Sequence, residues 1–495
     1  MSNIRVTYSG LISFVIGIIS VFTGLIFTFI VTRTFTPIEY GTWNLINGLF
    51  GYVIIIEPII SYWTTREISR NLDSGKTAIF SSGLFSIIAI IGYIVVVFLV
   101  APQTDVNQNV LFFAVMLIPV IFLNKTLTAI NLGWKPHAIS YGSLFYSIAQ
   151  IPLALLFIYF LELGVYGIII TSLIAYIISI IILGIYGFEK IKTTFHKKFL
   201  KKYLSYFWIS LYPGIGSMIY FLDVSIFSII TKSVEGLSLW AVSLVVPNII
   251  SQSALISRAV YPKLLGASND QYLKGNLTQL FYFAMPLTAL AITFSRPALF
   301  VLNPIYDEAA TVIIFTSLFV FLNTISGVFQ SLLTGTDKVD ISESSTIQNY
   351  IRSKLFFMPT LSLIQYGSYA FFLTIFLLLF ASHTSQLNLV IYWSIIALLT
   401  QLPITIYLYI LVRQKFTSFL DYTSIFKYFF TSLIVFGLNF LLMENFLNYD
   451  VSFIEFIPNL LLLIGLTLGS YLTITYIVDS RTKVLFQSIF KEIKN

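Results

Sequence analysis

The chain of 495 residues has no cysteine and only three histidines. The first absence excludes disulfides, thiolate zinc sites, iron–sulfur clusters and cysteine nucleophiles, and it leaves the redox compartment open. His137, His196 and His383 fall in separate loops without ligand-like spacing, so no metal centre is expected. Charge is also scarce: Asp, Glu, Lys and Arg make up 10% of the chain, against about a quarter in soluble domains. A water-soluble surface cannot be built from so few. No polar stretch is long enough for a soluble catalytic or nucleotide-binding domain. Asp73-Ser74-Gly75-Lys76-Thr77 has the end of a phosphate-binding loop, but Arg70 stands where its first glycine belongs and no strand precedes it. Asn276-Leu277-Thr278 is a formal glycosylation sequon on the side read below as cytoplasmic, where it would be silent.

What the chain does have is apolar length. Hydrophobic residues make up 57% of it and aromatics 17%. A helix needs about 20 apolar residues to cross a bilayer core. Fourteen such runs occur, near 8–31, 41–63, 78–101, 109–131, 139–160, 164–186, 206–230, 237–258, 277–300, 309–334, 360–381, 388–412, 424–446 and 456–479. Unbroken runs of this length reject a membrane barrel, whose strands alternate over about 10 residues. The first run is too long for a signal segment and has no small-residue cleavage site, so it reads as a mature helix. The fold class is therefore an all-α integral membrane protein with about 14 transmembrane helices.

Placing the loops alternately on two sides, with the N-terminus inside, puts all 28 Lys and Arg residues except Arg33, Lys232 and Arg296 on the inner side. Positive residues are retained in the cytoplasm, so both termini are expected there, in a multi-pass protein of the cell membrane. The net charge of +7 then follows from orientation and anionic inner-leaflet lipid. Nucleic acid is not an expected partner.

The halves of the chain echo one another. Arg33 and Lys232, Trp43 and Trp240, and Gly133 and Gly335 are spaced 199, 197 and 202 residues apart. Six spans per half make this a parallel repeat about an axis along the membrane normal. The division expected is 1–190 for spans 1 to 6, a basic cytoplasmic linker at 191–205, 206–415 for spans 7 to 12, and 416–495 for spans 13 and 14 with a tail.

Thr32-Arg33-Thr34-Phe35-Thr36-Pro37-Ile38-Glu39-Tyr40-Gly41-Thr42-Trp43, Arg66 at the end of span 2, Asp223 in span 7 and Tyr261-Pro262-Lys263-Leu264 after span 8 carry a resemblance. With the twelve-plus-two layout, the chain resembles the polysaccharide or O-antigen flippases of the multidrug/oligosaccharidyl-lipid/polysaccharide (MOP) exporter superfamily. The resemblance implies two six-helix lobes in a V around a central cavity lined by spans 1, 2, 7 and 8, plus two C-terminal helices. It implies a lipid-linked oligosaccharide as cargo, membrane lipids and glycan-assembly enzymes as partners, a monomer, and no enzymatic step. Span 1 has no charge between Ser9 and Thr32. This departs from drug-exporting relatives and from peptidoglycan-precursor flippases. The alternative function is an ion-coupled multidrug or small-molecule exporter of the same architecture. A membrane glycosyltransferase or ligase would need a larger outward domain.

A charge at a helix centre costs about 2.5–3.5 kcal/mol on insertion scales, so it should face a cavity or a partner. Asp223 and Glu57, the latter beside Pro58, are candidates for coupling transport to H+ or Na+, with no other cofactor expected; each could equally be a counter-ion or a hydrated cavity wall. Arg33, Arg258, Lys125 and Arg296 are candidates for binding the phosphate of a head group through charge-assisted hydrogen bonds; each is also near enough to a span end to snorkel. Pro213-Gly214-Ile215-Gly216 in span 7 should interrupt helix hydrogen bonding, making Pro213, Gly214 and Gly216 hinge candidates. The segment 345–358, with Ile347, Tyr350, Ile351, Leu355 and Met358 on one face, reads as an interfacial helix or a bent start to span 11.

Overall fold

The computed structural model describes residues 6–254, 270–335, 347–416, 419–449 and 452–483. The described residues are helical throughout, apart from turns and short connections. The physical cause is plain: in lipid every backbone N–H and C=O must be satisfied within the segment, and a helix does this alone. In chain order the helices are α1 (Val6–Thr34), α2 (Pro37–Ile54), α3 (Pro58–Ser69), α4 (Gly75–Val100), α5 (Gln108–Phe113), α6 (Leu117–Trp134), α7 (His137–Ala154), α8 (Gly164–Ile191), α9 (Lys197–Ser205), α10 (Phe207–Thr231), α11 (Glu235–Val245), α12 (Asn248–Ser251), α13 (Asp270–Thr293), α14 (Ser295–Leu302), α15 (Ala310–Gly335), α16 (Ile347–Ile351), α17 (Lys354–Phe380), α18 (Gln386–Lys415), α19 (Tyr422–Phe446) and α20 (Phe453–Val478).

Ten helical segments are long and apolar enough to cross a membrane, or twelve when each of two sharply bent pairs counts as one span. Within the first and eighth expected spans lie the shorter apolar helices Phe22–Thr34 and Glu235–Val245. Among the described residues, helix thus occurs in each of the fourteen apolar runs. The protein is a multi-pass membrane protein whose exterior is apolar: Phe98, Leu99, Ile185, Leu378, Leu441 and Ile477 are all exposed. Its interior is rich in buried Ser and Thr. Many of these hydroxyls donate to carbonyls one turn back, as Thr32 does to Thr28 (2.8 Å), Thr64 to Ile60 (2.8 Å) and Thr324 to Val320 (2.7 Å). Small hydroxyl side chains let helices approach closely without leaving a donor stranded.

By packing, the chain divides into two compact units, residues 1–241 with 359–389 and residues 242–358 with 390–495. In the first unit α1 packs on α7, α7 on α8, α6 on α3, α4 and α8, and α10 on α2. Unlike the division drawn at the basic linker, this one keeps α9, α10 and most of α17 with the helices of the first half. Glycines permit the α2–α10 contact. A Cβ at Gly41 would strike the Val234 carbonyl, one at Gly48 the Val224 side chain and one at Gly51 the Phe221 ring. Gly41 belongs to the Glu39-Tyr40-Gly41 motif and Val234 immediately precedes its echo in the second half, so the two copies meet here. The amphipathic α9 is held by Glu67, which accepts from Lys202 Nζ (3.1 Å) and the Tyr203 hydroxyl (3.0 Å).

In the second unit α13 packs on α15 and α19, and α19 on α20. Tyr282, Tyr428 and Tyr471 interlock there, the Tyr471 hydroxyl donating to the Tyr282 carbonyl at 3.0 Å.

The helix interruptions do not fall where composition placed them. Helix α10 runs unbroken from 207 to 231 through Pro213, Gly214 and Gly216. A break occurs instead between α2 and α3, bent by 53°, and another between α13 and α14, bent by 65°. Pro58 has no N–H to give the Ile54 carbonyl, which accepts from the Glu57 N–H instead (2.9 Å). In the segment 345–358, α16 is separated from α17 by a turn at Arg352 and Ser353; residues 345 and 346 lie outside the described residues.

Candidate functional site

Three polar sites are built into the first unit. The first surrounds Asp223 on α10, 2% exposed. Its Oδ2 accepts from the Tyr369 hydroxyl of α17 at 2.7 Å and its Oδ1 from the Val224 N–H at 2.7 Å. The Tyr220 ring stacks on Tyr369 (5.8 Å between centroids) and tilts against Tyr366 (5.3 Å). From α2, the Tyr52 hydroxyl reaches the Ser225 Oγ (2.7 Å) and the Phe221 carbonyl (2.8 Å). The acid thus sits in a tyrosine cage with both oxygens engaged. The four tyrosines escaped sequence reasoning, although a Tyr deep in an apolar run always has a hydroxyl needing a partner.

The second site is the break between α2 and α3. Glu57 occupies it, 3% exposed, and receives one hydrogen bond on Oε2, from Ser61 at 3.2 Å. Its Oε1 is buried without a hydrogen-bond partner. Helix α6, which carries the exposed Lys125, packs on α3. Gly214 faces this break: a Cβ there would lie 3.0 Å from the Ile55 side chain and 3.8 Å from its carbonyl. A Cβ at Gly216 would meet Ser362 and Tyr366 at 3.4 and 3.5 Å. The glycines of span 7 serve close packing in a continuous helix.

The third site is a cleft of about 640 Å³ where the end of α1, the start of α2 and the α7–α8 connection meet. Arg33, Thr34, Phe35, Glu39, Ile158, Tyr159, Phe160, Glu162 and Gly164 line it. Arg33 lies in the last turn of α1, its guanidinium 5.6 Å from the Phe29 ring. Glu39 Oε2 accepts from the Thr36 N–H (2.9 Å) and hydroxyl (3.0 Å), a capping box that starts α2 with Pro37 in its first turn.

Arg258 is outside the described residues, as is the Tyr261-Pro262-Lys263-Leu264 motif. Arg296, in the second unit, is held by Asp307, with Nε 2.9 and 3.2 Å from the two oxygens, and lies 4.8 Å from the Tyr449 ring centre. Among the described residues no group of three or more His, Asp or Glu could hold a metal ion.

No family model matches the chain, and no curated protein matches it in sequence. Solved structures do. One of the lipid II flippase MurJ, in an inward closed conformation, aligns with a TM-score of 0.62 at 16% identity, over 96% of this chain and 99% of its own. The fold is that of MOP-superfamily membrane transporters. An inward-facing multidrug resistance transporter of the MATE family aligns with a TM-score of 0.59 at 12% identity, over 83% of this chain and 98% of its own. A MOP-superfamily transporter from Pyrococcus furiosus gives 0.54 at 12%, over 84% and 96%.

Proposed function

We propose that this chain is a flippase that moves a polyprenyl-(pyro)phosphate-linked oligosaccharide from the cytoplasmic to the outer leaflet of the cell membrane, feeding surface polysaccharide assembly or protein glycosylation. The observation that carries this reading is the extent of the matches. The lipid II flippase structure covers 96% of this chain, while the MATE structure, itself covered over 98%, leaves about a sixth of the chain unmatched. A sixth is about the size of the extension at 416–495 that the sequence sets apart from its repeat.

The physical task suits the parts. The cargo has a polar head and an oily tail, and the protein needs a polar path beside an apolar exterior. In this reading the two repeat halves act as lobes that open alternately to each side, with both termini cytoplasmic. Arg33 offers a guanidinium to the phosphate at the junction of head and tail through paired charge-assisted hydrogen bonds, and Arg258 is the second cation we put forward for it. Asp223 or Glu57 couples the cycle to H+ or Na+. No covalent bond is made or broken.

The test is reconstitution into vesicles carrying a labelled polyprenyl-phosphate sugar. Protein-dependent leaflet transfer without product formation is expected. Arg33→Ala combined with Arg258→Ala should slow transfer about tenfold or more, the worth of one to two charge-assisted hydrogen bonds, with insertion intact. Unchanged leaflet distribution under every ion gradient, with export of small cationic compounds instead, would replace this reading with that of an exporter.

A further inference from the structure

We infer that the cleft at the ends of α1, α2, α7 and α8 is a sugar-binding subsite that takes the first hexopyranosyl phosphate unit of the cargo. This deepens the flippase reading and rests on it for the identity of the natural ligand. The geometry, however, stands independently.

The cleft combines three chemistries within about 640 Å³, inside the range of small-molecule sites and larger than a single pyranose needs. Arg33 supplies a planar donor of positive charge. Glu39 and Glu162 supply acceptors. Tyr159 and Phe160 supply ring faces at the rim, 58% and 70% exposed, their centroids 5.3 Å apart. With one cation against two carboxylates, the lining is a poor trap for a free phosphate. Vicinal hydroxyls fit it better, because each donates to a carboxylate and accepts from a guanidinium, while the C–H face of a pyranose lies on an aromatic ring.

The backbone is shaped around these groups. After α7 the chain makes a π-helical turn, Leu155–Phe160, which brings both Tyr159 and Phe160 to the cleft. π-helical turns are rare and are frequently found at functional sites. Glu162 follows with a left-handed φ of 49°, unusual for a residue with a side chain, and Gly164 with 52°. A Cβ on Gly164 would lie 2.7 Å from Glu39 Oε1, so the glycine makes room for that carboxylate. Because Glu39 Oε2 is fixed by the capping box, Oε1 is the oxygen left at the cleft.

The experiment uses the full chain in nanodiscs and saturation-transfer difference NMR with four soluble probes, the 1-phosphates of glucose, galactose, mannose and N-acetylglucosamine. Inorganic phosphate, the methyl glycosides and phosphoethanolamine serve as competitors. At least one sugar phosphate should bind with its ring protons saturated. Glu162→Gln should weaken it about tenfold, the loss of a hydrogen bond to a charged group, and Tyr159→Ala with Phe160→Ala should remove the ring-proton signal. These exposed positions leave the helix packing intact, which an unchanged melting temperature checks. Methyl glycosides should compete and inorganic phosphate should not. The inference is overturned if none of the four probes binds, if inorganic phosphate alone displaces them, if phosphoethanolamine displaces them while glycosides do not (a lipid head-group site), or if the variants bind like the parent. Binding with no leaflet transfer would sink the flippase reading and leave the subsite standing; transfer unaffected by the variants would do the reverse.

Discussion

Asp223 and Glu57 share one unit of the protein and nearly one degree of burial, yet they are housed differently. Asp223 sits inside an unbroken helix, with Tyr369 and Val224 each donating to one of its oxygens at 2.7 Å. Glu57 sits in a helix break, with one weak bond from Ser61 at 3.2 Å and one oxygen bare. Burying a carboxylate is costly unless its lone pairs are filled. The comparison teaches that the lone pairs of Asp223 are filled by the fold, whereas one oxygen of Glu57 is buried without a hydrogen bond. Within the proposed transport cycle, that makes Glu57 the acid we put forward for coupling to H+ or Na+.

The comparison breaks most readily at Asp223. Asp223→Ala removes the hydrogen bonds that Tyr369 and Val224 donate to the carboxylate and empties the tyrosine cage, and it should cost about 2–3 kcal/mol of stability, read as a lower melting temperature in detergent. Tyr369→Phe should cost less, about 1 kcal/mol, in line with interhelical hydrogen bonds in membranes. If both variants melt with the parent, Asp223 is not a structural acid and the distinction from Glu57 falls.

Glu57→Gln should behave oppositely. An amide has no charge to desolvate, so stability should hold or rise by up to about 1 kcal/mol. Leaflet transfer should at the same time lose its dependence on the driving ion gradient. A variant that is stabler but uncoupled would sharpen the contrast, because strained or unsatisfied groups persist where function requires them. A loss of stability as large as that of Asp223→Ala would erase it.

Much of the fold was legible because a bilayer imposes length: fourteen apolar runs predict helices, and ten to twelve helices or bent pairs long enough to cross stand among the described residues. The breaks were not legible. Pro213-Gly214-Ile215-Gly216 has the composition of an interruption, yet α10 passes through it, with Gly214 and Gly216 answering to neighbours on other helices. Pro58 sits at the first position of a new helix, where a missing N–H costs nothing. The difference lies in tertiary contacts that no local pattern records. Of the site, the charged residues could be named but their partners could not. Tyr369 is 146 residues from Asp223, and Gly164 is far in sequence from Glu39. Glu162 and Tyr159 went unremarked because a lone acid and an aromatic near a span end are ordinary until backbone geometry brings them to one cleft. Arg296 was the recoverable case: Asp307 lies only 11 residues on.

Another buried carboxylate, Asp479, tests whether the rule for Asp223 extends to the edge of the membrane. It follows α20, just beyond the span, and is 3% exposed. Burial alone would raise its pKa. Donation from the Tyr428 hydroxyl (2.7 Å), the Thr482 N–H (3.1 Å), the Ser424 hydroxyl (3.1 Å) and the Thr482 hydroxyl (3.1 Å) outweighs burial and holds it below the usual carboxylate value. A lowered native pKa means that the ionised form stabilises the fold. That stability is complete above the unfolded value, about 3.9, and is lost as pH falls through the lowered native one. Asp479→Asn should therefore melt below the parent at neutral pH, by the equivalent of about 1 kcal/mol, and the gap should close as pH drops under 4. A gap that widened with acid would mean that Asp479 is housed like Glu57, unsatisfied when charged, and that filled lone pairs are not what separates the buried acids of this protein.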